Sequence, residues 1–357
     1  MVDLLFPAEK FVERLLVWYG QSGRDLPWRN TRDPYRIWLS EIMLQQTTVA
    51  AVSNYYQRFL EHFPSVESLA AAPMTAVIDL WAGLGYYTRA RNLHSAAKIV
   101  VDSYSGDFPA DVEALQALPG IGRSTAGAIL ALAFDQQAPI LDANVRRVLC
   151  RIGALQQPPR STDAEKQLWH WSEQLTPLSK VHDYTQAIMD LGAMVCVPRQ
   201  PLCEECPVLE LCQAHDLGLE QQLPLKQVKK KLPNRHESAL LINVAGRYLA
   251  RRRMAEGFLG GLWEFPSVAF AEDDNSAEKA KFLLADFGLE GQLELLGSVR
   301  HTYSHFHLES SVYHVSVDCH GLVTEGENHW FSPEKLSNLA LHGAHKKVLA
   351  KIYSKEK

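Results

Sequence analysis

The chain has 357 residues, which at roughly 150 residues per domain predicts about two domains. Hydrophobic residues make up 46% and charged residues 22%, which excludes a disordered or collagen-like chain. The net charge is −5, so any nucleic-acid site must be a local patch in which backbone amides share the work.

The N-terminal MVDLLFPAEKFVERLL carries acids where a secretory signal carries bases, and it reads as an amphipathic helix. No apolar run reaches the roughly 18 residues of a membrane span. A cytoplasmic protein with no membrane partner is expected. Residues 1 to about 195 read as helical throughout, with apolar residues at helical spacing in FVERLLVWY, IWLSEIMLQQTTVAAVSNYYQRFL and STAGAILALAFD. Gly and Pro breaks separate these runs.

Glu41 sits in the second run, flanked by Trp38, Leu39, Ile42, Met43 and Leu44. Burial there would raise its carboxyl toward that of a useful general acid. Further on, LPGIGRSTAGAILALAF places Gly120 and Gly122 just before a helix. Glycines at a helix start let the backbone approach an anion and aim free N–H groups at it. Some 20 residues later, PILDANVRRVLCRI puts Asp142 at the start of another helix, where amides and the dipole favour its charged form. One protonated and one ionised carboxyl form the pair that glycosidic cleavage needs.

Four of the six cysteines follow closely: Cys196, Cys203, Cys206 and Cys212, spaced C-x6-C-x2-C-x5-C. A cytosolic cysteine cluster points to a metal rather than to disulfides. Four thiolates suit tetrahedral zinc or a 4Fe–4S cluster, and an asymmetric loop with one short pair suits the cluster better. Residues 215–235 are polar, with two prolines and a lysine run, and read as a linker. Residues 236–357 alternate apolar and polar residues in ESALLINVAGRYLARRR and RHTYSHFHLESSVYHVSV, and then turn helical. They read as an α+β domain.

These residues resemble a known family. LPGIG…LDANVRRV and the cysteine spacing are similar to the endonuclease III superfamily of helix–hairpin–helix DNA glycosylases. WRNTRDPYRIWLSEIMLQQT and GLGYYTRARNL resemble its adenine DNA glycosylase (MutY) branch. The implied fold is multidomain: an all-α glycosylase domain with a 4Fe–4S loop over residues 1–214, then a linker and a Nudix-like α+β domain over 236–357. Within the first, 28–135 would form the hairpin module. The N-terminal helix with 136–214 would form the iron–sulfur module.

The resemblance implies roles residue by residue. Glu41 would protonate adenine and help activate water, Asp142 would stabilise the cationic sugar, and Asn144 would orient that carboxylate. Trp28 and Arg29 would line the pocket for the flipped adenine. Gln46 and Tyr86 would wedge into the base stack. Gly120, Gly122 and Ser124 would take a DNA phosphate. Ser124 stands where bifunctional members carry a Schiff-base lysine, which implies a monofunctional enzyme using water. The implied partner is duplex DNA carrying adenine opposite 8-oxoguanine or guanine, bound by a monomer.

The chain reads Asp142-Ala143-Asn144 where the family has Asp-Gly-Asn, so this turn must avoid a left-handed backbone. In the C-terminal domain, GGLWEFP resembles the Nudix fold of 8-oxo-dGTP hydrolases. Phe282, Ala285 and Asp286 stand at three of its acidic positions, and one carboxylate cannot hold the magnesium array. The domain therefore reads as a recognition module, sensing 8-oxoguanine with Tyr303, Ser304 and His305, with Gly261 in a tight hairpin near the DNA backbone. The alternative is an endonuclease III-like lyase acting on oxidised pyrimidines. Ser124 and the C-terminal domain speak against it.

Overall fold

Up to residue 216 every regular element is helical among the described residues, as the apolar spacing predicts. The computed structural model describes residues 1–226, 231–254, 257–317 and 328–355. The main helices are α1 Ala8–Ser22, α2 Pro34–Leu44, α3 Val49–His62, α4 Val66–Ala71, α5 Met74–Trp81 and α6 Thr88–Tyr104. They continue as α7 Val112–Gln116, α8 Arg123–Phe134, α9 Ala143–Ile152, α10 Thr162–Leu175, α11 Val181–Asp190 and α12 Gln213–Asp216. Local chemistry sets their starts. Asp33 accepts from the Tyr35 N–H with Pro34 at the first position of α2, and Thr48 and Asp111 cap α3 and α7 in the same way.

Phe11 and Leu15 of α1 are fully buried in one apolar cluster with Leu149, Leu168, Leu175, Val208 and Ala214. The first helix is thereby tied to the chain that follows residue 136. Leu223 lies in this cluster too, and its carbonyl accepts from the buried Arg151 Nε at 3.0 Å. The stretch expected as a linker is thus part of the helical core as far as Leu223.

The chain forms two compact units. One comprises Met1–Ala71 and Asn92–Lys229, the other Ala72–Arg91 and Lys230–Lys357. Segment 72–91, helical in sequence, belongs by its contacts with the C-terminal residues. No helix among the described residues is long and apolar enough to cross a membrane.

The second unit is built on a mixed sheet of β1 Asn234–Val244, β2 Arg247–Arg252, β3 Trp263–Glu264, β4 Ser267–Phe270, β5 Glu294–Thr302, β6 His307–Ser316 and β7 Asn328–Phe331. The main path runs β3-β2-β1-β6-β5, with β4 on β1 and β7 on β2. β1 and β6 pair in parallel, from Asn234 opposite His307 to Asn243 opposite Ser316. Successive strand residues face opposite sides. Leu240 and Ile242 pack with Leu283 and Leu284 of α13, Ser276–Asp286. Ala239 and Leu241 pack with Val348 and Ile352 of α15, Gly343–Lys355, which follows the short α14, Pro333–Ser337.

Candidate active site

α2 carries Glu41 in a helix whose residues Ile37, Trp38, Leu39, Ile42 and Met43 are buried. The residue as a whole keeps partial surface exposure, while its carboxyl is crowded by protein. Burial pushes it up to about 7, the negative charge of Asp142 adds to the rise, and Arg29 opposes it. Among the described residues no hydrogen-bond donor reaches this carboxyl. It is free to carry a proton and to give it away.

Asp142 is the N-cap of α9. Its Oδ1 accepts from the Val145 N–H at 2.7 Å, and the Asn144 Nδ2 lies 3.4 Å from its Oδ2. Such a cap contributes about 1 kcal/mol. The amides at the helix start favour the charged form of Asp142, as expected, but they are outweighed. Burial raises it overall, against the lowering by the Val145 and Asn144 amides and by Arg147. The two carboxyls therefore differ in their hydrogen bonds rather than in the direction of their shifts. Asp142 accepts from donors that favour its ionised form, and Glu41 does not. Ala143 opens α9 in a helical backbone, so the departure from glycine costs nothing there.

Arg147, which the sequence reading did not single out, holds this corner together. Its Nη2 donates to the Asn144 Oδ1 at 2.9 Å and to the Gly192 carbonyl at 2.5 Å, and its Nε donates to the Cys196 carbonyl at 2.7 Å. A second residue it missed is Asp190, fully buried at the end of α11. Arg29 donates to both Asp190 oxygens, at 2.5 and 2.6 Å, and Arg24 donates to it as well. Arg29 is thus held by a buried forked pair, in which removing one partner typically costs about 3–5 kcal/mol. Trp28 is buried edge-on to Tyr56, with ring centroids 5.4 Å apart.

The hairpin between α7 and α8 has Gly120 at φ 82°, where an L side chain would be strained. Gly122 precedes α8, and no side chain caps that helix, so its leading N–H groups remain for an anion. The Ser124 Oγ is already engaged, accepting from the Leu141 N–H at 3.0 Å. It ties α8 to the residue before Asp142, a role that the resemblance did not assign.

Gln46 and Tyr86 share one unusual property. Both are exposed non-glycine residues in the left-handed region, at φ 57° and φ 50°. Backbone strain of this kind costs about 1–3 kcal/mol and concentrates at functional sites. The Tyr86 turn is braced by buried Arg89, whose Nη2 donates to the carbonyls of Leu84 and Gly85.

In the second unit, the Tyr303 N–H donates to the Phe306 carbonyl at 2.9 Å and closes a two-residue hairpin between β5 and β6. Ser304 and His305 at its tip are exposed, while the Tyr303 ring turns inward. Gly261 sits at φ 79°. Phe282, Ala285 and Asp286 are all exposed on α13, so these three positions supply one carboxylate.

The π-type turn Leu191–Val195 that continues α11 delivers Cys196. Cys196, Cys203, Cys206 and Cys212 line one cavity with Val148, Ile152, Leu191 and Val208. Arg151, 2% exposed, directs its Nη1 at the Cys196 Sγ over 3.2 Å and makes its other bonds to backbone carbonyls. Among the described residues no carboxylate pairs with this buried guanidinium, although Glu220 lines the same cavity, and the guanidinium calls for negative charge there. Four thiols around one apolar-walled space supply the donors of an iron–sulfur cluster, and the cluster's charge answers Arg151. The residues fit the group. Cys196, Cys203, Cys206 and Cys212 would hold it, joining the two ends of the 196–212 loop beside Arg151 of α9. Cys319 lies outside the described residues, and Cys150 is buried in the helical core. Purified protein should be yellow-brown with about four irons per chain. Stoichiometric zinc without iron in an anaerobic preparation would overturn the assignment.

The hairpin, the two carboxyls and the four-thiol loop together define a base-excision DNA glycosylase of the helix–hairpin–helix class. The family model described as HhH-GPD superfamily base excision DNA repair protein matches residues 39–174. The iron–sulfur binding domain of endonuclease III matches 196–212, and the NUDIX domain matches 238–351. The chain is 36% identical over 397 residues to the adenine DNA glycosylase of Mus musculus, spanning 95% of this chain and 77% of that one. It is 36% identical over 298 residues to that of Buchnera aphidicola, spanning 83% of each. The chain belongs to the adenine DNA glycosylase family, DNA repair enzymes whose cysteine loop carries a 4Fe–4S cluster. Among solved structures, a thermostable thymine-DNA glycosylase is 33% identical with a TM-score of 0.54, covering 59% of this chain and 97% of that one. A non-covalent endonuclease III–DNA complex, 22% identical with a TM-score of 0.51, covers 60% of this chain and 99% of that one and shows the shared fold.

Proposed function

We propose that this chain hydrolyses the N-glycosidic bond of adenine standing opposite 8-oxoguanine or guanine in duplex DNA, acting as a monomer and leaving the strand uncut. One observation carries the reading: Glu41, raised to about 7, faces the influence of an Asp142 held by amide donors. A carboxyl near 7 can protonate the departing adenine at physiological pH. A carboxylate fixed by backbone N–H groups can stabilise the oxocarbenium-like sugar that is left behind. Asn144, itself held by Arg147, orients that carboxylate.

The other assignments serve this reaction. Trp28 and Arg29 line the pocket for the extruded base, and the Asp190 fork keeps Arg29 in one place. Gln46 and Tyr86 fill the space that the base vacates. Gly120, Gly122 and Ser124 hold a backbone phosphate through main-chain N–H groups, which explains DNA binding by a chain with net charge −5. Ser304, His305 and Gly261 belong to the reading of the opposite base, with Tyr303 behind them.

The test is single-turnover excision on a duplex with adenine opposite 8-oxoguanine, with an A·T duplex as control. Rapid loss of adenine from the first alone is expected. Equal rates on both would sink the reading. Borohydride should trap no substantial adduct, because Ser124 offers a hydroxyl already bonded to Leu141 and no amine. Efficient trapping would favour the lyase reading instead.

A further inference from the structure

The 303–305 turn opens on a tyrosine, and its hydroxyl has a specific partner. The Tyr303 Oη lies 2.9 Å from the Nδ1 of His342, a residue 3% exposed immediately before α15. The Tyr303 ring stands edge-on to Phe258 and His301, with centroids 5.2 and 4.5 Å away, and is tilted against Phe306. Rings on several sides fix the ring plane. Only the hydroxyl has a directional bond that fixes how deep the ring sits.

Behind the hydroxyl lies a buried polar network. The His342 ring lies against that of His345, with centroids 4.0 Å apart and planes tilted by 36°. The Phe265 N–H donates to the His345 Nδ1 at 2.9 Å, so the His345 proton sits on Nε2, 3.3 Å from the Glu237 Oε1. The Nε2 of His342 lies 3.8 Å from the Glu264 Oε2, and the phenol O–H of Tyr303, the stronger donor of the pair, is taken to donate to Nδ1. Glu264 is itself clamped by Arg251, at 2.8 Å, and by Arg253. Burial, with His345, Arg253 and His301 nearby, holds His342 well below its usual value, so it stays neutral and able to accept.

We propose that His342 is a positioning residue for reading the base opposite the target adenine: by accepting the Tyr303 hydroxyl it anchors the hairpin that presents Ser304 and His305. The proposal rests on the reading of that hairpin as the 8-oxoguanine sensor. A sensor must be held within about half an ångström of its working geometry, and two exposed tip residues depend on what lies beneath them.

The experiment measures single-turnover excision of adenine opposite 8-oxoguanine and opposite guanine by the full chain, and reads the ratio of the two rates. A general folding defect lowers the active fraction on both duplexes and leaves the ratio unchanged. Tyr303→Phe and His342→Leu should each lower the ratio about threefold to tenfold, the span of one neutral hydrogen bond. The double variant should be no worse than Tyr303→Phe, which already removes the hydroxyl's contact with His342 together with the one it makes to the Ala344 N–H. His342→Asn, which keeps an acceptor at the δ position, should restore most of the ratio. An unchanged ratio in Tyr303→Phe and His342→Leu, beside a collapsed ratio in a Ser304→Ala/His305→Ala variant, would overturn the positioning role alone. An unchanged ratio in that tip variant would overturn the sensor reading and this proposal with it.

Discussion

Glu41→Gln should lose at least about 100-fold in single-turnover excision, the lower end of what a positioned acid–base group contributes. The amide keeps the shape of the side chain and cannot deliver a proton. Asp142→Asn should lose as much or more, because it removes the charge that faces the developing cation. It keeps an oxygen able to accept from the Val145 N–H, so the cap of α9 survives. Both variants should still bind the lesion duplex, because the hairpin and the C-terminal unit are untouched. A near-normal rate in either would reduce that residue to a helix cap or a packing group.

The pH dependence of Glu41 has a definite sign. Its carboxyl is raised to about 7 from an ordinary 4.5, so the proton needed for catalysis is present below about 7 and lost above it. The excision rate should fall toward tenfold per unit on the alkaline side of that value, and fall again on the acid side once Asp142, itself raised by burial, takes up a proton. Stability follows the same proton. Between 4.5 and 7 the folded chain keeps a proton that the unfolded chain releases, so this group's contribution declines as pH rises through that window. Glu41→Gln lacks that slope. Its thermal midpoint relative to the parent should climb across the window, a stability gained by removing the reacting group. A parallel pair of pH–stability curves would show that Glu41 titrates normally.

What the sequence made legible was local. The helices follow from apolar spacing within single segments. The hairpin follows from Gly120 and Gly122 beside a strongly helical run, and the cysteine loop follows from four residues within 17 positions. Glu41 and Asp142 stood out because each has a telling neighbourhood in the linear chain. What stayed hidden was non-local. Arg147 and Arg151 stand four apart on one face of α9, a visible basic pair on an apolar helix. Their partners, Gly192 and Cys196, are more than 40 residues further on. Asp190 is 161 residues from Arg29, and nothing in either segment announces the pair. At 72–91 helical periodicity says nothing about which residues a helix packs on: the glycosylase family match runs through this segment, while its contacts group it with the C-terminal residues. The burial of Asp142 was not legible for a related reason. A helix dipole can be read from one segment, whereas the desolvation that outweighs it is supplied by the whole fold.

Gly192→Ala should lose about 100-fold in excision while leaving the iron content unchanged. A Cβ on Gly192 would stand 2.7 Å from the Asn144 Cβ and 3.0 Å from the Asn144 carbonyl oxygen. The obstructing atoms are backbone and the root of a side chain, so neither can swing away, and the first turn of α9 must move. Asp142 caps that turn, and Asn144 and Arg147 both lie along it. A displacement of about 1 Å at a reacting group can cost 10²-fold, because the carboxylate then points past the charge it should meet. Cys196 lies four residues further on, and its ligand cavity is walled by Val148, Ile152 and Val208 rather than by Asn144. Iron bound per chain therefore separates loss of geometry from loss of the cluster. Gly20→Ala supplies the control. That glycine lies in α1, and a methyl group added to it would meet nothing within 4 Å, so the change should leave the rate alone and add about 0.5–1 kcal/mol through the helix. A Gly192→Ala enzyme that keeps iron and works at the parent rate would show that α9 can shift without disturbing Asp142, and the tight seam between the two segments would then have no part in catalysis.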